Sequence, residues 1–188
     1  MVQARDEIYL IFANTRANSN KFWSANAKNN GTLETKWGRV GYGGQTKIYE
    51  CTSYAKAISK LQSLAATKIQ KGYRESQPQL QQSEQLNIRR ARQLLEQIKP
   101  YVQSGSFDDL GYLEALNEYL TIVPTPLGMN INPATIYHNV AVVEHQIDLL
   151  QQLMSPTVNS DRSSSLPNTQ ATPLPVSLKS ISNLFWKL

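Results

Sequence analysis

The stretch Lys36-Trp37-Gly38-Arg39-Val40-Gly41-Tyr42-Gly43-Gly44-Gln45-Thr46-Lys47 gathers an indole, a guanidinium, two ammonium groups and an amide in a short run. An aromatic face flanked by cations suits a nucleic-acid end or a single strand, because bases and sugars stack on a ring while phosphates take charge-assisted hydrogen bonds. Within the run the candidate contacts are Lys36, Trp37, Gly38, Arg39, Gln45 and Lys47. Nothing in the set reads base edges, so the chemistry favours recognition of DNA structure over sequence. Glycines at 41, 43 and 44 supply the positive φ angles of a tight connection and predict a turn between two strands. The competing reading places Trp37 in the core of a sheet with Arg39 packed over it.

Charge is distributed in the way such a surface needs. The chain has 188 residues, a net charge of +5 and 40% hydrophobic residues, enough to bury a core. Residues 1–75 carry a net +7, residues 76–154 a net −4 and residues 155–188 a net +2. The basic character belongs to the first domain, as expected of a polyanion-binding module joined to something with another task.

Other chemistries find little support. Cys51 is the only cysteine, so the sequence predicts no intrachain disulfide, no cysteine-based metal cluster and a reducing compartment. His138 and His145 stand seven apart, on one face of a helix expected from Asn132 to Met154, and read as exposed or partner-facing side chains. Asp108, Asp109, Glu114 and Glu118 read as helix-start and helix-surface acids, not as a catalytic pair. No nucleophile and base are recognisably paired, so no enzyme, catalytic residue, metal or cofactor is expected. The apolar run Ile8–Ala13 is too short for a signal-peptide core, and no run approaches a membrane span. A cytoplasmic protein without a membrane partner is expected, nucleoid-associated in a bacterium or nuclear in a eukaryote.

The elements that must position the candidate residues follow from periodicity. Alternation over Glu7–Ala13, Lys21–Lys28, Thr32–Val40 and Thr46–Cys51 predicts four antiparallel strands with one wet face, Asn30-Gly31 turning the second into the third. Thr52 or Ser53 caps a helix to about Gln70, with Tyr54, Ile58, Leu61, Ala65 and Ile69 on the sheet and Gly72 closing it. A glutamine-rich linker leads to a helix from Glu84 that Pro100 kinks or stops. Ser106 and Asp109 suggest a capping box before a third helix. Asn132-Pro133 then opens one continuous helix to Met154. Residues 155–188 read as a disordered linker with a short amphipathic segment near the end.

Asn20-Lys21-Phe22-Trp23, Lys36-Trp37-Gly38-Arg39-Val40-Gly41, Gly44-Gln45 and Lys71-Gly72-Tyr73, in this order around one helix, resemble the WGR domain of DNA-dependent poly(ADP-ribose) polymerases and of many bacterial proteins. The resemblance covers about 6 to 75. Tyr119-Leu120-Thr121-Ile122-Val123-Pro124-Thr125-Pro126-Leu127-Gly128-Met129 is similar to a segment of the helical regulatory domain of the same polymerases, with Thr125 where the family has histidine and Leu127 where it has phenylalanine. Only the later half of that domain has a counterpart, and the catalytic domain has none. The resemblance implies that Trp37 packs against a terminal nucleotide while Asn20, Lys21, Arg39 and Tyr73 help hold its phosphate.

The expected fold is α+β: a WGR-like DNA-binding domain over 1–75, a linker over 76–83, an all-α module over 84–154 and a tail over 155–188. The expected function is non-enzymatic binding of DNA ends, nicks or gaps, with a protein partner taken by the helical module or the C-terminal segment. The alternative is an adaptor whose WGR surface and helices hold a protein partner.

Overall fold

The computed structural model describes residues 6–76 and 81–154, with side chains described from residue 85 in the second span. The expected tail and half of the expected linker, residues 77–80, lie outside the described residues. The fold is α+β. Strands β1 (Glu7–Asn14), β2 (Ser19–Ala27), β3 (Thr32–Arg39) and β4 (Gln45–Glu50) form an antiparallel sheet, joined by a short β5 (Arg74–Glu75), in the order β4-β3-β2-β1-β5. β5 carries no signal in the sequence. Two residues are too few to show alternation, and they enter the sheet because Gly72, at φ 88°, turns the chain back alongside β1.

Helix α1 (Tyr54–Gln70) crosses one face of the sheet, with Ser53 Oγ accepting from the Lys56 N–H as its N-cap. Ala57, Ile58, Leu61 and Ala65 bury against Leu10, Trp23, Ala25, Ala27 and Leu33. Each large apolar side chain so removed from water contributes about 1.5–3 kcal/mol. Ile69, expected on the sheet, is exposed; the buried stripe of α1 ends at Ala65.

The second core belongs to α2 (Gln81–Ser104), α3 (Leu110–Ile122) and α5 (Val140–Met154), where Leu94, Leu95, Ile98, Leu116, Leu120, Val143 and Leu150 interlock. Several boundaries differ from expectation. α2 begins at Gln81, ahead of Glu84, and runs through Pro100 to Ser104. Pro100 lies on the exposed side near the helix end, where the carbonyl it leaves unbonded can meet water. Asp109 is itself the N-cap of α3, its carboxylate accepting from the Gly111 N–H at 2.8 Å, so the expected capping box does not form. The helix expected to run unbroken from Asn132 is split into α4 (Pro133–Ile136) and α5. Asn139 Oδ1 accepts from the Val142 N–H at 2.9 Å and restarts the helix, so His138 and His145 do not share one.

The helices also cover one end of the sheet face expected to be wet. Ala13 packs into the helical core, and Asn117 Oδ1 of α3 accepts from the Thr15 N–H at 2.8 Å. The rest of that face carries a small cluster of Ile11, Phe22 and Val40 beside Tyr9.

Candidate nucleic-acid interface

Side chains alternate across a sheet, so the strand register decides which candidates can act together. Three rows cross the face that α1 covers. Phe12, Lys21 and Arg39 are cross-strand neighbours in the first, and Leu10, Trp23, Trp37 and Gln45 in the second. The third holds Ile8, Ala25, Thr35 and Lys47. Lys21, Trp37, Arg39, Gln45 and Lys47 therefore share one face of β2, β3 and β4.

Within that corner Lys21, Gln45 and Lys47 are exposed, while Arg39 and Trp37 are half-buried. Trp37 packs against the core that holds Leu10 and Trp23, and of the tryptophans among the described residues Trp23 is the buried one. Trp37 thus fills part of the core and remains partly exposed. The Lys47 ammonium lies 4.8 Å from the Tyr49 ring centroid, and the Lys60 ammonium of α1 lies 4.5 Å from the same ring. Lys60 extends the positive surface from the sheet onto the helix.

Tyr73 stands at the β1 end of the first row. Its ring lies 5.5 Å from Phe12, with the Lys68 ammonium 5.3 Å from its centroid. Burial raises the Tyr73 hydroxyl above its ordinary pKa. Burial together with the nearby Lys71 charge lowers the Lys68 ammonium below its own.

The remaining candidates fall on the other face. Lys36 is paired with Ser24 there and is exposed. Gly38 lies opposite Phe22, and a Cβ on it would meet the Gly44 backbone, so the glycine allows the turn to fold back on β3. Asn20 is 0% exposed, and its Nδ2 donates to the Thr125 carbonyl at 2.7 Å.

Arg39 is held by its own chain. Nε donates to the Gly128 carbonyl at 2.5 Å, Nη1 to the Asn18 carbonyl at 3.1 Å and Nη2 to Asn18 Oδ1 at 2.9 Å. Asn18 in turn donates from Nδ2 to the Met129 carbonyl and accepts from the Ile131 N–H. The connection between α3 and α4 is thereby laced to the basic end of the sheet. The guanidinium is oriented by these acceptors, which take three of its five N–H groups.

Among the described residues no group of three or more His, Cys, Asp or Glu could hold a metal, and no helix is long and apolar enough to cross a membrane.

The family model for the WGR domain matches residues 6–79. WGR domains are nucleic-acid-binding modules in poly(ADP-ribose) polymerase-like proteins. No curated protein matches the chain. Among solved structures, the crystal structure of a Bacteroides fragilis protein is similar at 28% identity and a TM-score of 0.35. That similarity covers 38% of this chain and 19% of the other, so the chain spans about a fifth of that relative's length.

Proposed function

We propose that the chain, whose residues 6–79 match the WGR family model, is a non-enzymatic protein that binds DNA ends, nicks or gaps at the corner formed by Lys21, Trp37, Arg39, Gln45 and Lys47. The observation that carries this reading is the strand register, which puts these side chains on one face of three adjacent strands. A broken strand exposes a base and a sugar for the outer face of Trp37, and its phosphate meets Arg39 and Lys21 in the adjoining row. A closed duplex offers the same phosphates but no terminal ring to stack. Lys36 and Asn20 stand apart from this surface; Lys36 adds long-range charge and Asn20 joins the sheet to the helical module. Tyr73 borders the surface beyond Phe12.

The helical module is read as the part that takes a protein partner. Leu86, Leu110 and Met129, each more than half exposed, leave apolar surface on it. The test of the DNA reading is a binding comparison among nicked, blunt-ended and covalently closed circular duplexes of the same sequence. Preference for the first two over the closed circle supports it. Equal binding to all three reduces the surface to a general polyanion site and removes the proposal.

A further inference from the structure

Strand β4 is an edge of the sheet, and among the described residues nothing pairs with its outer side. The direction of its backbone groups follows from the ladder. The Cys51 N–H donates to the Gly31 carbonyl, and the Lys47 carbonyl accepts from Thr35 Oγ1, so residues 45, 47 and 49 turn their backbone toward β3. Thr46, Ile48 and Glu50 turn theirs outward. Ile48, in the middle, is 58% exposed.

We propose that β4 pairs antiparallel with β4 of a second copy of this chain about a two-fold axis through Ile48, joining two sheets into one. A two-fold normal to the sheet keeps each side chain on its own face, so opposed residue numbers must share parity. Only the register centred on Ile48 uses all three outward residues, with Thr46 opposite Glu50 of the partner strand and Ile48 opposite its own copy. The intervening Lys47 then lies opposite Tyr49, where it exchanges its own ring for an identical one. Shifting the centre to Lys47 sets two lysines against each other, and edge lysines ordinarily discourage pairing for that reason. The strand is thus guarded against a mismatched register and open to this one. A second copy is favoured over an arbitrary peptide because no like charges meet and the apolar residue meets an apolar residue.

A six-residue edge buries less than the roughly 1,000 Å² expected of a stable interface, so the pairing is weak and concentration-dependent. It would place two Trp37 corners on the same side of a continuous sheet.

The test is oxidation of the full chain in a Cys51→Ala background carrying either Ile48→Cys or Thr46→Cys. Opposed Ile48 positions bring Cα atoms to about 5.5 Å, within disulfide reach, while opposed Thr46 positions stay roughly 14 Å apart. The proposal expects Ile48→Cys to form a covalent dimer at least about tenfold faster than Thr46→Cys. Equal rates overturn it. In sedimentation equilibrium Ile48→Lys should abolish self-association while the thermal midpoint stays unchanged, because the position faces away from the domain. Unchanged association in that variant would assign it to another surface and overturn the proposal.

Discussion

Arg39 and Asn18 meet at two points, the guanidinium reaching the Asn18 carbonyl at 3.1 Å and its Oδ1 at 2.9 Å. Asn18 adopts φ 49°, the only positive φ at a non-glycine among the described residues, and this geometry turns its amide toward both Arg39 and the segment Gly128–Ile131. One side chain therefore fixes the cation at the candidate interface and fastens the helical module to the sheet.

Asn18→Gly preserves the left-handed backbone and removes the amide. We predict a loss of about 1–2 kcal/mol in urea unfolding, since several partly hydrated hydrogen bonds are exchanged for water. Asn18→Ala should lose roughly 1 kcal/mol more, because alanine resists that φ. An alanine variant equal to the glycine one would show that the backbone relaxes.

Gly41 has φ 89°, and a Cβ there would run into the Pro126 ring. Gly41→Ala should cost about 2–4 kcal/mol through strain and a forced separation of the β3–β4 turn from the helical module. Gly43→Ala, with open space around its Cβ, should cost under about 1 kcal/mol. Thermal unfolding of the pair separates the two effects.

Much of this arrangement is legible in the sequence, and the parts that are not share a cause. Alternation located β1 to β4 to within about two residues, because each strand sends alternate side chains to the face that α1 covers. The common face of Lys21, Trp37, Arg39, Gln45 and Lys47 needed the register as well, which the Asn30-Gly31 turn helps set. What local pattern could not supply was contact at long separation. The bonds from Asn18, Asn20 and Arg39 to residues 125–131 span the whole intervening chain, and they decide that Asn20 is buried while Lys21 is free. The restart at Asn139 was hidden because apolar spacing continues across it, whereas a cap acts through one side chain.

Lys47 and Lys36 lie on opposite faces of the sheet, which makes them a matched pair for testing which side meets DNA. Lys47→Ala should lower the slope of log affinity against log salt by about one, as one lost phosphate contact does. Lys36→Ala should leave that slope within about 0.3 of the parent's, acting only through net charge. The reverse outcome would move the interface to the other face.

In the helical core, burial pushes the hydroxyls of Tyr112 and Tyr119 up to about 12, and Tyr137 is raised by the same cause. An unfolded tyrosine ionises near 10, so above that pH the unfolded chain holds fewer protons than the folded one. Stability from these groups is complete below pH 10 and falls as pH rises toward 12. Urea midpoints measured at pH 9 and pH 11 should drop with pH, and Tyr119→Phe should flatten that drop. A drop unaltered by Tyr119→Phe would place the alkaline sensitivity elsewhere.

The central claim is that the half-buried indole of Trp37 keeps a face available to a terminal nucleotide. Fluorescence polarisation on a nicked duplex, comparing the parent with Trp37→Ala after circular dichroism has established that both are folded, tests it most directly. The account predicts that binding weakens by roughly 1–3 kcal/mol while affinity for a closed circular duplex changes little. Undiminished binding of the folded variant to the nicked duplex would contradict it.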